Sequence, residues 1–143
     1  MKAIALFCLT ALTGILFSGC KTTYQDAGFT GGYTESQLDK NVFKVSFNGN
    51  AFTSLHRATD FTLLRSAELT LINGFRYFVI IEEDSRIENT TGSTGTTGQT
   101  YNYSKPRASN TIVCFEEKPE SGFSYDAAFI KESLMKKHKI KQK

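Results

Sequence analysis

Residues 42–83 carry three hydrophobic patterns in a row, with punctuation between them. No other stretch narrows the possible folds as much. In VFKVSFN (42–48), Phe43, Val45 and Phe47 alternate with Lys44 and Ser46. Period two marks a strand with one face covered. Asn48-Gly49-Asn50 breaks it. A helical period follows over about 54–73, with Thr53 or Ser54 as cap and Asn73-Gly74 as stop. At roughly 100° per residue, Phe61, Leu64, Ala67, Leu71 and Ile72 share one face. FRYFVIIEE (75–83) is then apolar on both faces, as in a central, covered strand. Only the short stop at Gly74 separates helix from strand. The spacing therefore predicts a strand–helix–strand crossover, parallel and right-handed.

Downstream, NTTGSTGTTGQT (89–100) holds no core-building side chain and reads as a flexible surface loop. Tyr101 and Tyr103 begin a short strand. In SNTIVCFE (109–116), Thr111, Val113 and Phe115 point one way, Ile112 and Cys114 the other. Pro119 and Gly122 mark a turn. A last helix spans about 126–138, capped by Ser124 or Asp126, with Ala127, Phe129, Ile130 and Leu134 inward. The order β-α-β-β-α predicts an α+β fold. Its simplest form is a two-layer sandwich, a small mixed sheet of three or four strands with two helices on one face.

Upstream, the chain opens with Met1-Lys2 and an uncharged, mostly apolar run over Ala3–Phe17. That is a secretory signal layout, and the run is short for a membrane-spanning helix. Phe17-Ser18-Gly19-Cys20 looks like a bacterial lipobox, with Phe17 where Leu is usual. The expectation is a lipoprotein signal over 1–19 and a lipid anchor on Cys20. Two or three acyl chains hold a protein stably on a bilayer, and one does not. Lys21, rather than Asp, points to the outer membrane, facing the periplasm.

This reading removes Cys8 and occupies Cys20. Only Cys114 is left, so no internal disulfide forms and the fold rests on its core. The remaining chain still buries roughly two-thirds of its unfolded surface. Residues 20–41, rich in Gly and Thr, read as a lipidated N-terminus and tether. The domain then covers 42–138, and 139–143 form a basic tail.

Two segments, YQDAGFTGGYTESQLDKNVFKVSFNGN (24–50) and TSLHRATDFTLLRSAELTLINGFRYFVI (53–80), carry a resemblance. Together with the lipobox Cys they are similar to an uncharacterised family of proteobacterial lipoproteins. The likeness weakens through the Thr/Gly loop and returns at Tyr125-Asp126-Ala127. It implies a lipid-anchored envelope protein and carries over no activity and no catalytic residue.

The candidate sites are few. Arg57, Asp60 and Glu68 fall on the apolar arc of the first helix. They either line a shallow cleft for a polar ligand or flank the core as ion pairs. Arg57 with Asp60, and Arg65 with Glu68, are i,i+3 neighbours. A buried charge is costly unless paired, so the paired arrangement is the expectation. His56 and His138 are the only imidazoles and sit in different elements, which gives no metal site. Ser54, His56 and Asp60 share a helix, whereas a catalytic triad needs converging side chains. Gly28, Gly31 and Gly32 lack the Lys-Ser/Thr pair of a phosphate loop. No cofactor is implied.

Phe29, Tyr24, Tyr33, Tyr101 and Tyr103 lie in Gly/Thr-rich stretches. They either stack on a glycan or an envelope protein, or fold back on the sheet. A net charge of +3 is too mild for a nucleic-acid partner. The reading at this level is a lipid-anchored binding or structural accessory module. An envelope enzyme or polar-ligand binder on the Arg57/Asp60/Glu68 face is the alternative.

Overall fold

The computed structural model describes residues 20–93, 95 and 97–141. The signal segment expected over 1–19 lies outside them. The elements in order are β1 (Gly32–Asp39), β2 (Val42–Asn48), α1 (Leu55–Ile72), β3 (Tyr77–Ser93), β4 (Thr100–Phe115), β5 (Tyr125–Asp126) and α2 (Ala127–His138). The strands form one sheet in the order β1-β2-β4-β3-β5. Both helices cover the same face of it, α1 on β2, β4 and β3, and α2 beside α1.

The α+β class is correct, but the sheet has five strands rather than three or four. Every pairing is antiparallel, so it is not mixed. β2 and β3 do run in the same direction around α1. The expected parallel pair fails because β4 lies between them, antiparallel to both. Phe43 pairs with Ile112 and Phe78 with Cys114, so β4 supplies the inner residues that complete the core. The two strands missed in the sequence carry little apolar signal. β1 is a polar edge strand, and β5 is two residues long.

Parts of two segments expected to be loose form strands; residues 94 and 96 of the expected loop lie outside the described residues. Gly32–Asp39 forms β1 within the presumed tether. Residues 89–93 of the presumed loop belong to β3, whose ladder with β4 runs to Ser93↔Thr100. No apolar core holds that ribbon. Cross-strand hydrogen bonds do, from Thr91 Oγ1 to Asn102 Oδ1 (2.9 Å) and from Ser104 Oγ to Asn89 Oδ1 (2.8 Å).

Helix boundaries follow the sequence closely, because the caps are local. Ser54 Oγ accepts from Arg57 N–H (3.2 Å), and Asp126 Oδ1 accepts from Phe129 N–H (3.0 Å). The buried face of α1 differs from the expected arc. Ile72 is 68% exposed, and Phe129 of α2 is 69% exposed. Instead a stripe of Ala58, Thr62, Ser66 and Thr70, spaced i,i+4, is buried. Each of its hydroxyls donates to the carbonyl four residues back, at 2.8–2.9 Å. That back-bonding satisfies the hydroxyls within the helix, so the stripe carries small polar side chains inward without orphaned groups. Thr62 also reaches the Ala108 carbonyl of β4 (3.3 Å).

Three clusters make the core. Phe43, Val45, Ala67, Leu69, Phe78, Ile112, Cys114 and Ala127 form the largest. Phe47, Ala58, Phe61 and Ala108 form the second, beside the start of α1. Leu64, Leu134 and Met135 join the two helices.

Candidate functional site

The polar residues of α1 form two ion-pair groups, not one cleft. The first centres on Asp60, which is 8% exposed. Its Oδ2 lies 2.7 Å from His138 Nε2, 2.7 Å from Lys137 Nζ and 3.6 Å from His56 Nε2. Arg57 does not pair with Asp60 as the spacing suggested. Its Nη1 sits 3.3 Å from His138 Nδ1, and its guanidinium lies 4.6 Å from the Phe61 ring centroid. These contacts fix the imidazole tautomer. Nδ1 accepts from Arg57, so Nε2–H donates to Asp60.

The second group holds Glu68. Its Oε2 accepts from Tyr24 Oη (2.5 Å) and from Arg65 Nη1 (2.9 Å). The Arg65–Glu68 pair matches the sequence expectation. Arg65 also binds the Glu35 carboxylate of β1 with two nitrogens, at 2.5 and 2.9 Å, and covers the Tyr33 ring at 4.5 Å. Rings fill the space between the groups. Tyr33 meets Tyr24 at 5.0 Å, Tyr24 meets Phe61 at 5.3 Å, and Phe61 meets His138 at 4.9 Å, centroid to centroid. Arg57, Asp60 and Glu68 therefore do not converge on open space.

The electrostatics match a closed network. Burial works to raise the Asp60 pKa, but hydrogen bonds from Lys137 and His138 outweigh it and hold the carboxyl below its ordinary range. A general acid needs the reverse shift. Burial, and then the bond to Glu68, push the Tyr24 phenol well above its usual range. Burial works against the charge on Arg65, yet Glu35 and Glu68 overcome it and raise its pKa. Burial also raises the Cys114 thiol, partly offset by Thr70, so the thiolate needed of a nucleophile is disfavoured.

His56 and His138, expected apart, both meet at Asp60. Lys137 Nζ, 3.0 Å from His56 Nε2 and 2.7 Å from Asp60 Oδ2, fills the position a cation would take. Among the described residues no group of three or more His, Cys, Asp and Glu is placed to hold a metal ion. Sequence reasoning missed Lys137, His138, Tyr24 and Glu35 as members of these groups. Lys137 and His138 look like a solvated helix end in one dimension. Only the docking of α2 against α1 brings them to Asp60.

The aromatic residues divide. Tyr24 and Tyr33 fold back on the core, whereas Phe29 is 108% exposed. Tyr101 and Tyr103 stack at 5.7 Å on the β3–β4 ribbon, with Lys105 Nζ 4.9 Å from the Tyr103 ring. Gly92 makes room for this, since a Cβ there would lie 2.5 Å from the Tyr101 ring. A cleft of about 310 Å³ opens along β3, lined by Val79, Ile80, Ile81, Glu82, Glu83, Phe123 and Tyr125. It exists because β5 pairs only with Tyr77 and Phe78, leaving the rest of that edge of β3 open. Among the described residues no helix is long and apolar enough to cross a membrane. No family model matches the chain, and no curated protein or solved structure matches it either.

Proposed function

We propose that this is a lipid-anchored envelope protein, attached through Cys20 to the periplasmic face of the outer membrane. It works as a non-catalytic binding module. Its partner-facing surface is the β3–β4 arm together with the open edge of β3. One observation carries the binding role. The β3–β4 ladder continues from Ile87↔Pro106 to Ser93↔Thr100, beyond the last β2 pair at Asn48↔Arg107.

That arm reaches roughly 20 Å at about 3.4 Å per residue. A two-stranded ribbon alone is only marginally stable in water, and beyond Pro106 at its root this one adds no buried residue. Its side chains serve contact instead. Tyr101 and Tyr103 offer ring faces, and Arg86, Asp84, Glu88 and Arg107 form a charged network at its root. A protein or glycan surface suits that mixture of aromatic and polar groups. The enzyme alternative loses its ground in the depressed Asp60 carboxyl and in the Arg57 guanidinium that occupies Nδ1 of His138.

The test joins labelling to crosslinking. Radiolabelled palmitate should mark the wild type and not Cys20→Ser. Replacing residues 89–104 with a two-residue turn should leave the melting of the body unchanged. It should also remove the specific crosslinks formed in intact cells. Crosslinks that survive loss of the arm would remove the basis for the binding surface.

A further inference from the structure

The chain is fastened to the body almost as soon as it leaves Cys20. Asn50 Nδ2 donates to the Cys20 carbonyl (2.8 Å). Thr22 N–H donates to Thr53 Oγ1 (3.0 Å), and Thr22 Oγ1 donates to the Thr30 carbonyl (2.7 Å) while accepting from Asn50 N–H (2.8 Å). Thr22 is 1% exposed. Gly31 closes the knot at φ +101°, where a Cβ would lie 2.3 Å from the Asn48 carbonyl oxygen. There is no slack between Cys20 and the fold, so a bilayer holding residue 20 lies against the surface around this knot.

That surface has two further properties. First, it exposes phenylalanine. Phe29 precedes Thr30 in the knot and is 108% exposed; Phe52 precedes Thr53 and is 62% exposed. The Phe52 backbone is fixed by its own N–H, which donates to Asn50 Oδ1 (3.1 Å). Second, lysines surround it, with Asp26 the exposed acid within the knot. The positive end of the α1 dipole begins at Ser54. The end of α2 docks beside it through Lys137 and His56 (3.0 Å), and Lys139 and Lys141 follow. Lys21 adjoins Cys20.

We propose that this end of the molecule is a membrane-contact face for anionic phospholipid. Phe29 and Phe52 enter the interface, and Lys21, Lys139 and Lys141 lie over the headgroups. Apolar insertion and basic attraction add in such contacts. The β3–β4 arm is rooted at the same end, where Pro106 packs on Gly49. Its Asn, Thr and Ser ladder is too polar for hydrocarbon, so the body tilts and the arm runs along the headgroups toward lateral partners. The inference deepens the anchoring reading, and takes its orientation from it, but the face can be tested without lipid on Cys20.

The chain has no Trp, so Phe29→Trp and Phe52→Trp each place a sole reporter at the face. Phe123→Trp places one at the far end, beside β5. Protein starting at residue 20 with Cys20→Ser suffices, because it carries no lipid yet keeps the carbonyl that Asn50 binds and all the buried core residues described, which lie from Thr22 to Met135. With phosphatidylglycerol-containing vesicles, emission from positions 29 and 52 should shift to the blue and be quenched by brominated lipid. Position 123 should show neither, and phosphatidylcholine vesicles should have little effect. Phe29→Ala and Phe52→Ala should each weaken partitioning about tenfold, the low end for a buried phenylalanine. Neutralising one lysine, as in Lys21→Gln or Lys139→Gln, should weaken it about fivefold. Unchanged emission at 29 and 52, or equal quenching at 123, would overturn the proposal. Failure of palmitate labelling with insertion intact would instead count against the anchor alone.

Discussion

Asp60→Asn isolates the charge at the α1–α2 junction with little change of shape. The magnitude follows from exposure. Asp60 and His138 side chains are 11% and 9% exposed and 2.7 Å apart, and a hydrogen bond to a charged group there stabilises by roughly 1.5–3 kcal/mol. Lys137 is also 2.7 Å away but 47% exposed, so its share is below about 1 kcal/mol. His56 is 75% exposed at 3.6 Å and adds little. Asparagine keeps an acceptor for His138 Nε2–H, which retains about 1 kcal/mol. The expected cost is therefore about 2 kcal/mol, a large fraction of a typical 5–15 kcal/mol. Lys137→Gln should cost under about 1 kcal/mol.

Urea titration measures both, with the slope unchanged between variants. The sign with pH is also determined. The folded Asp60 pKa lies below its ordinary 3.8, so its stabilisation is present above that value and is lost as pH falls through the folded pKa. Asp60→Asn should flatten this acid limb. A cost below about 0.5 kcal/mol, or Lys137→Gln matching Asp60→Asn, would refute the assignment of His138 as the principal partner.

Other perturbations probe other parts. Tyr24→Phe should cost about 1–3 kcal/mol, because the Glu68 carboxylate loses a donor beside Arg65. The raised Tyr24 pKa means its contribution is complete below its ordinary 10.0 and declines as pH climbs above it; a melting series through that range reads this. Cys114 should resist alkylation in the folded protein and react once urea unfolds it, since burial disfavours its thiolate; fast labelling under native conditions would contradict its place in the core. Gly32→Ala should destabilise by about 1–3 kcal/mol, given φ +138° and a Cβ position 2.5 Å from the Asp26 carbonyl oxygen. Gly92→Ala should cost under about 1 kcal/mol, because the exposed Tyr101 ring can swing aside.

Local signals were legible in the sequence and long-range pairings were not. Alternation in Phe43, Val45 and Phe47, the Ser54 and Asp126 caps and the Gly74 stop each act within a few residues, so they placed β2, both helices and the start of β3. The position of β4 depends on which strand wins the space between β2 and β3, and no local pattern encodes that. β1 was hidden because an edge strand needs few apolar residues; its Glu35 faces α1 to bind Arg65, which reads as a polar segment. The buried Thr62, Ser66 and Thr70 look exposed until each hydroxyl is bonded within the helix. At the site, the i,i+3 rule found Arg65–Glu68 but mispaired Arg57 with Asp60, since a partner distant in sequence, His138, competed for both.

The anchor on Cys20 is the claim on which orientation and localisation both depend. Trypsin digestion of the protein recovered from cell membranes, followed by mass spectrometry of its N-terminal peptide, addresses it directly. A lipidated and processed chain yields Cys20-Lys21 carrying a diacylglyceryl group, with or without an acylated amine, and no peptide from before residue 20. An Ala3–Lys21 peptide, or Cys20 with a free thiol, would contradict it.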